Sequence, residues 1–383
     1  MIFNRVIKEI ETNKKIKDAG GFNAIPWLRL PKFSKVLPGI MKGKYYLVTA
    51  NSKVGKTKIA DFLFVLEPYH FIKKFPNSDI DIDIDFFLLE MSKEEKITNF
   101  LSHFLYINYG VRLSPDELYS KFTEKTLSDE VFKLTKSKDL ADKFEDFESK
   151  IHFHDSIKNP YGIYKKCYEY VKENGFWIDK ADHRVEWEEF SKKDTNVHKY
   201  LSHYKHNNPN KYKINIVDHT SLLHPEKGKN LHQTMGDWSA DRALSLKNKY
   251  GLTMVDIQQQ SSDSEKQQFT FRGQSIIEKV KPSLDGLADN KTTQRNVDVV
   301  LGLFFPTRYN ISEYPTFGDP YKLNKLGDAY RELSILANRS GGGLHAVDLY
   351  FDGATEYFKE LPPAGNLTPI DYRNIYERKI KII

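Results

Sequence analysis

The sequence contains almost no cysteine and no long apolar run, and each shortage excludes a class of protein. Cys167 is the only cysteine among 383 residues, so an intrachain disulfide framework is impossible and a reducing cytoplasm is expected. No apolar stretch approaches the ~20 residues of a membrane-spanning helix. The segment 1–15 alternates charged and apolar residues too often for a signal peptide. We therefore expect neither a secreted nor a membrane protein.

The remaining composition is that of a large globular protein with a mild basic excess. Hydrophobic residues make up 39% of the chain and aromatic residues 13%, which is enough for a substantial core. The net charge of +6 permits a polyanionic partner but does not prove one. The length allows one domain with insertions or two domains.

Residues 45–60 read as a strand, a short loop and the start of a helix. Gly55 lets the backbone approach a ligand closely, Lys56 can reach β- and γ-phosphates, and the Thr57 hydroxyl can hold Mg²⁺. The N–H groups at the start of the helix would face the phosphates. The pattern predicts binding of ATP with Mg²⁺ by eight residues, although alanine stands where the usual pattern has its first glycine: Ala50, Asn51, Ser52, Lys53, Val54, Gly55, Lys56 and Thr57.

Three further predicted strands end in polar residues that could complete this site. Glu90 follows an apolar run at 82–89, Asp218 follows 214–217, and Gln258 follows 252–257. Strands alternate with predicted helices along the chain, which indicates an α/β fold with a mainly parallel sheet flanked by helices. Because such sheets bind ligands at the carboxyl ends of their strands, we expect these three side chains to converge on the phosphate loop.

The chain divides into an arm, one large domain and a tail. Residues 1–30 form a linker arm whose helix, over 2–14, presents an apolar stripe to its own domain or to a neighbouring subunit. The ATPase domain spans 31–360, with an insertion at about 175–212 that is partly helical over 185–193. Residues 361–383 form a C-terminal tail.

These motifs, in this order, resemble the C-terminal motor domain of DnaB-type replicative helicases, in the RecA-like ATPase superfamily. The similarity covers roughly residues 30–360. It rests on the phosphate loop, in which alanine at the first position is common in that family, and on five further segments: Leu88-Leu-Glu-Met-Ser92, Ile214-Asn-Ile-Val-Asp218, Met254-Val-Asp-Ile-Gln258, the stretch 285–298, and Asn338-Arg339 with the glycines that follow.

The chain also departs from the family pattern. The helicases' N-terminal, primase-contacting domain has no counterpart, and neither does the insertion at 175–212. A lysine that the helicases carry two residues before the finger arginine is Ala337 here, and 285–298 keeps only Leu287 and Asp298 clearly. These departures concern helicase coupling more than nucleotide binding.

The resemblance implies a role for each candidate residue in ATP hydrolysis. Glu90 would orient or deprotonate the attacking water, and Asp218 would hold Mg²⁺ together with Thr57. Gln258 would sense the γ-phosphate, a role for which the adjacent Gln259 and Gln260 compete. Arg339 would reach into the nucleotide site of the neighbouring subunit.

The resemblance also predicts which loops meet DNA. In RecA-like rings, the loops after the Asp218 strand and after the Gln258 strand line the central channel. These loops contain aromatic residues that could touch bases, Phe269 and Phe271. They also contain basic residues that could follow a phosphate backbone: Lys227, Lys229, Lys266, Arg272, Lys279 and Lys281.

The sequence therefore predicts an ATP hydrolase that drives a DNA motor, most simply a hexameric ring helicase translocating on single-stranded DNA. A primase or loader is a possible partner, and a phage or mobile element in a bacterial cytosol is a possible source. Two alternatives remain open: a recombination or repair ATPase that forms filaments, and an assembly module that ATP merely switches. Unwinding of a forked duplex distinguishes the first two, and turnover stimulated by single-stranded DNA distinguishes both from the third.

Overall fold

A nine-stranded sheet forms the centre of the protein, and the predicted α/β class is confirmed. The computed structural model describes residues 2–124, 126–187, 201–262, 280–315, 319–343 and 345–380. The order in the sheet is β14-β13-β12-β9-β1-β8-β7-β2-β3. Its strands are β1 (Tyr45–Ala50), β2 (Asp81–Leu88), β3 (Ile151–His154), β7 (Lys211–Asp218), β8 (Thr253–Gln259), β9 (Val299–Phe304), β12 (Tyr330–Asn338), β13 (Ala346–Asp352) and β14 (Tyr357–Glu360).

The strands from β9 to β3 in this order run parallel, and β12, β13 and β14 are antiparallel additions at one edge. Two small antiparallel sheets accompany the large one: β5-β4-β6, with β4 (Gly175–Asp179), β5 (Arg184–Val185) and β6 (Leu201–His206), and β10-β11, with β10 (Glu313–Tyr314) and β11 (Tyr321–Lys322).

Helices surround the central sheet. Two π-helical segments, Phe62–Leu66 and Trp238–Ala243, join the α-helices on either side of them into longer helices. The α-helices are Ile2–Asp18, Pro31–Val36, Lys56–Asp61, Glu67–Lys74, Lys93–Tyr109, Pro115–Leu118, Asp129–Thr135, Lys138–Glu148, Pro160–Glu173, Leu231–Asp237, Leu244–Tyr250 and Pro369–Tyr376.

Each face of the sheet has its own core because successive residues of a strand point to opposite sides. Tyr46 and Val48 of β1 belong to the core that holds the helices at 56–74 and 93–109. Tyr45 and Leu47 belong to the core beneath the helices at 160–173 and 231–250. Cys167 lies in this second core, where its thiol donates a hydrogen bond to Asn215 Oδ1 at 3.3 Å. Burial raises the pKa of this thiol well above its usual range.

The predicted insertion contains a small β-sheet. β4 pairs with both β5 and β6 in antiparallel fashion, and β7 already begins at Lys211. Val185 lies in β5, so the expectation of a helix from that residue is wrong at its start; residues 188–193 lie outside the described residues. An aromatic cluster of Trp177, Tyr204 and Tyr250 packs the sheet against the helix at 231–250.

The N-terminal helix, Ile2–Asp18, is four residues longer than predicted and contains no buried residue. Its apolar stripe faces outward and includes Ile2, Phe3, Val6, Ile7, Ile10 and Ile16. Of the two predicted docking places for this stripe, the described part of its own domain does not cover it. Within that part of the chain, no helix is both long enough and apolar enough to cross a membrane.

Candidate nucleotide-binding site

The predicted phosphate loop joins the carboxyl end of β1 to the helix that begins at Lys56. Gly55 adopts a φ of 108° at the start of this helix, a left-handed conformation that favours glycine. The N–H groups of Gly55, Lys56 and Thr57 donate hydrogen bonds to no other described residue. Three main-chain donors at a helix N-terminus are therefore free for an anion, as phosphate binding requires.

Asp218 lies beside the loop because β7 is separated from β1 only by β8. Its carboxylate is 1% exposed, and Oδ1 accepts a hydrogen bond from the Thr57 hydroxyl at 3.2 Å. A carboxylate and a hydroxyl this close are hard oxygen donors of the kind that Mg²⁺ prefers. Burial lowers the pKa of Lys56, and the charges of Asp218 and Glu90 oppose that shift.

Glu90 follows the carboxyl end of β2 and presents its carboxylate to solvent. Its side chain is 59% exposed, and Oε2 lies 3.6 Å from Nε2 of the buried His219. Burial, followed by the charge of Lys56, lowers the pKa of His219 to about 4, so this imidazole is neutral at pH 7. The predicted capping box of Ser92 and Glu95 starts the next helix, which fixes the chain direction just after Glu90.

Lys96 is a site residue that sequence reasoning missed. Its ammonium group is fully buried, 2.7 Å from Asp61 Oδ2 and 3.8 Å from Asp218 Oδ2. Burial acts to lower the pKa of Lys96, but the nearby carboxylates outweigh it, and the pKa is raised. Lys96 therefore orients Asp218 from the side opposite Thr57. A helix lysine usually indicates a solvated face; the signal here is that Phe100, four residues later on the same face, is buried too.

The three glutamines after β8 make different contacts. The Gln258 amide donates to the carbonyl groups of Ala288 and Asn290, at 2.5 and 2.9 Å, on the sheet face opposite the phosphate-loop helix. The Gln260 amide donates to Thr49 Oγ1 at 2.9 Å and so ties β1 to the loop that returns from the DNA-binding candidates.

Gln259 pairs with Ala50 in the sheet, and alternation places its side chain on the face of the phosphate-loop helix. That side chain is half-buried and makes no hydrogen bond with the residues that the structure describes. Of the three glutamines, Gln259 has the geometry best suited to meet a γ-phosphate. The predicted sensing role of Gln258 stays a prediction.

Arg339 lies at the end of the sheet opposite its own phosphate loop. It follows Asn338, which pairs with Val299 at the start of β9, whereas Ala50 pairs with Leu303 near the end of β9. The separation along the strands is roughly 17 Å at about 3.3 Å per residue. The Arg339 side chain is exposed, and its guanidinium contacts the carbonyl of Arg295. Arg339 therefore does not serve its own nucleotide site.

The predicted DNA-binding residues are described only in part. Lys227 is exposed after the Asp218 strand, whereas Lys229 forms ion pairs with Glu226 and Asp237. Lys281 lies 3.3 Å from Glu332. The other candidates lie outside the described residues: Lys266, Phe269, Phe271, Arg272 and Lys279.

Comparison with solved structures confirms the predicted fold. The protein is similar to a solved ATPase domain of a DnaB-like helicase, with a TM-score of 0.61 and 17% identity over 94% of this chain and 99% of that one. It is also similar to a DnaB-like replicative helicase whose structure was described with its interactions with primase, with a TM-score of 0.59 and 16% identity over 92% of this chain and 67% of that one. No sequence-family profile and no curated protein sequence matches the chain. The resemblance to a DnaB-type, RecA-like motor domain is thus established at the level of the fold.

Proposed function

We propose that this protein is an ATP-driven DNA motor, a replicative-type helicase that acts as a ring on single-stranded DNA. The observation that carries the proposal is the meeting of the phosphate loop, Asp218 and Glu90 at neighbouring strand ends, with Thr57 and Asp218 only 3.2 Å apart. Two helicase motors share the fold, which favours a motor over a recombination filament or an ATP-switched assembly module.

The chain's own residues account for each requirement of ATP hydrolysis. The free N–H groups of the phosphate loop and Lys56 bind the β- and γ-phosphates. Thr57 and Asp218 hold Mg²⁺, which supplies charge neutralisation when bound. Glu90 accepts a proton from the attacking water at its exposed carboxylate. The partial exposure of Glu90 leaves room for that water.

The proposed ring gives Arg339 and the N-terminal helix their roles. Arg339 is exposed and far from its own phosphate loop, so in the ring it stabilises transition-state charge in the adjacent subunit. The exposed apolar stripe of the helix Ile2–Asp18 packs on a neighbouring subunit, where burial would stabilise it. We propose six subunits, with Lys227 and the loop 260–281 facing DNA in the channel and a primase or loader as a further partner.

The deciding experiment measures ATP turnover with and without single-stranded DNA, followed by unwinding of a forked duplex. We expect turnover to rise with DNA, the fork to open, and the variant Lys56→Ala to lose both activities, since the phosphates lose their main side-chain partner. Particle images with a non-hydrolysable ATP analogue should show rings. DNA-stimulated turnover without unwinding, in filaments, would support a recombination ATPase. Turnover by Lys56→Ala equal to that of the unaltered protein would refute the nucleotide site.

A further inference from the structure

Arg331 places a positive charge in the interior directly beneath the phosphate loop. The residue is 4% exposed and lies near the start of β12. Its Nε donates to the carbonyl of Val54, in the phosphate loop, at 2.9 Å. Its Nη1 donates to the carbonyls of Asp328 and Tyr330 at 2.9 and 2.7 Å. Three main-chain oxygens thus hold the guanidinium group.

No carboxylate in the described part of the chain forms an ion pair with Arg331, and the two nearest in sequence have other partners. Glu332 points to the opposite face of β12, where it lies 3.3 Å from Lys281. The carboxylate of Asp328 pairs with Arg378. Burial of a charge without a counter-ion is costly, so proteins retain one only where something compensates for it.

Two aromatic rings enclose the guanidinium group and connect it to the loop. Its carbon lies 3.7 Å from the centroid of Phe305 and 4.6 Å from that of Phe351. The loop rests on the second of these rings, since a Cβ atom on Gly55 would lie 3.3 Å from Phe351 Cζ. Burial lowers the pKa of Arg331 to about 9, which leaves the group charged at pH 7.

A second arginine holds the same loop from outside. Arg308 donates to the carbonyl of Ser52, so guanidinium groups engage the carbonyls of two alternate loop residues, Ser52 and Val54. Carbonyl oxygens fixed in this way are kept away from the anion site. The free N–H groups at the start of the following helix are then left to face the ligand.

We propose that Arg331 is a positioning residue for the triphosphate of the nucleotide: it fixes the phosphate loop in its binding shape, and its unpaired charge is compensated by the phosphates themselves. This inference rests on the proposed nucleotide-binding function. Because Arg331 acts on the bound anion through the loop, its loss weakens binding more than it slows the chemical step.

The test compares Arg331→Met with Arg373→Met, which removes an equal charge from an exposed position on the C-terminal helix. The Kd for ATP and for inorganic triphosphate is measured by displacement of a fluorescent nucleotide, and kcat is measured at saturating ATP. We expect Arg331→Met to raise both Kd values by about 10- to 100-fold, the range for a lost hydrogen bond to a charged group, with a smaller fall in kcat. Arg373→Met should leave both Kd values unchanged.

The variant Arg331→Lys keeps the charge but cannot reproduce the planar fork between the rings. We expect its Kd for triphosphate to lie between those of the unaltered protein and Arg331→Met. If Arg331→Met shows no cooperative thermal unfolding, Arg331→Lys decides the question. Unaltered Kd values in a folded Arg331 variant, even one with a lowered Tm, would show that the residue is structural only and overturn the inference.

Lys56→Ala, measured in parallel, separates this inference from the proposed function. Loss of triphosphate binding in Lys56→Ala with normal binding in the Arg331 variants would overturn only the role of Arg331. Normal triphosphate binding in Lys56→Ala would overturn the nucleotide site itself.

Discussion

The two ends of β12 carry arginines with opposite environments. Arg331, at the start, is buried among aromatic rings and holds the phosphate loop of its own chain. Arg339, just past the end, is exposed and lies at the sheet edge away from that loop. One strand therefore presents one arginine to its own nucleotide and another to a neighbour. Burial and register, rather than residue type, separate a residue that acts within its subunit from one that acts between subunits.

The comparison is tested most severely at Arg339. We expect Arg339→Ala to lower turnover by about 10³-fold, the lower part of the range for such fingers in GTPases. Mixing Arg339→Ala with Lys56→Ala subunits should restore part of the activity, since some interfaces then join an intact loop to an intact arginine. Failure of the mixture, with mixed oligomers demonstrated by differently tagged subunits, would place both ends of β12 in the same role. Arg331 and Arg308 could not then replace Arg339, because both contact their own phosphate loop.

Glu90 is expected to give the next largest effect, confined to its own subunit. Glu90→Gln should lower turnover by about 10²-fold or more while ATP binding persists, because the amide keeps the shape but cannot take a proton. Single-turnover hydrolysis alongside nucleotide binding measures the two effects separately. In contrast to Arg339→Ala, Glu90→Gln should not recover on mixing with Lys56→Ala, since the water-activating and phosphate-binding groups belong to one site. Lost binding with unchanged hydrolysis per bound ATP would make Glu90 structural.

The paired variants Gln259→Ala and Gln258→Ala distinguish a sensor from a brace. We expect Gln259→Ala to reduce the stimulation of turnover by single-stranded DNA about tenfold with unchanged Tm, because its amide makes no hydrogen bond with the described residues. Gln258→Ala should mainly lower Tm, since it leaves the carbonyls of Ala288 and Asn290 without their donor. The reverse pattern would restore the sensing role to Gln258.

Lys227 should give the smallest effect. We expect Lys227→Ala to weaken binding of single-stranded DNA a few-fold and to reduce the salt dependence of binding by about one unit. Lys229→Ala is the matched control, because Lys229 already pairs with Glu226 and Asp237 and should contribute less to DNA binding. Titrations at several salt concentrations measure both. Equal salt slopes for Lys227→Ala and the unaltered protein would remove Lys227 from the DNA path.

Much of the fold could be predicted because its signals are local. The loop before Lys56, the capping box after Glu90 and the apolar strand before Asp218 each occupy a few consecutive residues. The sheet β5-β4-β6 was missed because its strands mix aromatic and charged residues without steady alternation. β14 was missed because it is only four residues long.

The rest of the candidate site depends on contacts between distant segments. Lys96 meets Asp61 and Asp218 only after three elements have packed together, and nothing in the sequence near Lys96 names those partners. The burial of Arg331 likewise depends on Phe305 and Phe351 from other strands. The facing of Gln258 and Gln259 depends on strand register, which a run of three glutamines cannot reveal.

The burial of Cys167 makes the folded protein chemically silent toward thiol reagents. The thiolate is the reactive form, and at this position it is both inaccessible and disfavoured. A cysteine introduced at Ser340, beside Arg339 on the exposed edge, would then be the one site that a maleimide dye labels. Energy transfer between donor- and acceptor-labelled subunits would report, without any change to the natural cysteine, when ATP brings neighbouring subunits together.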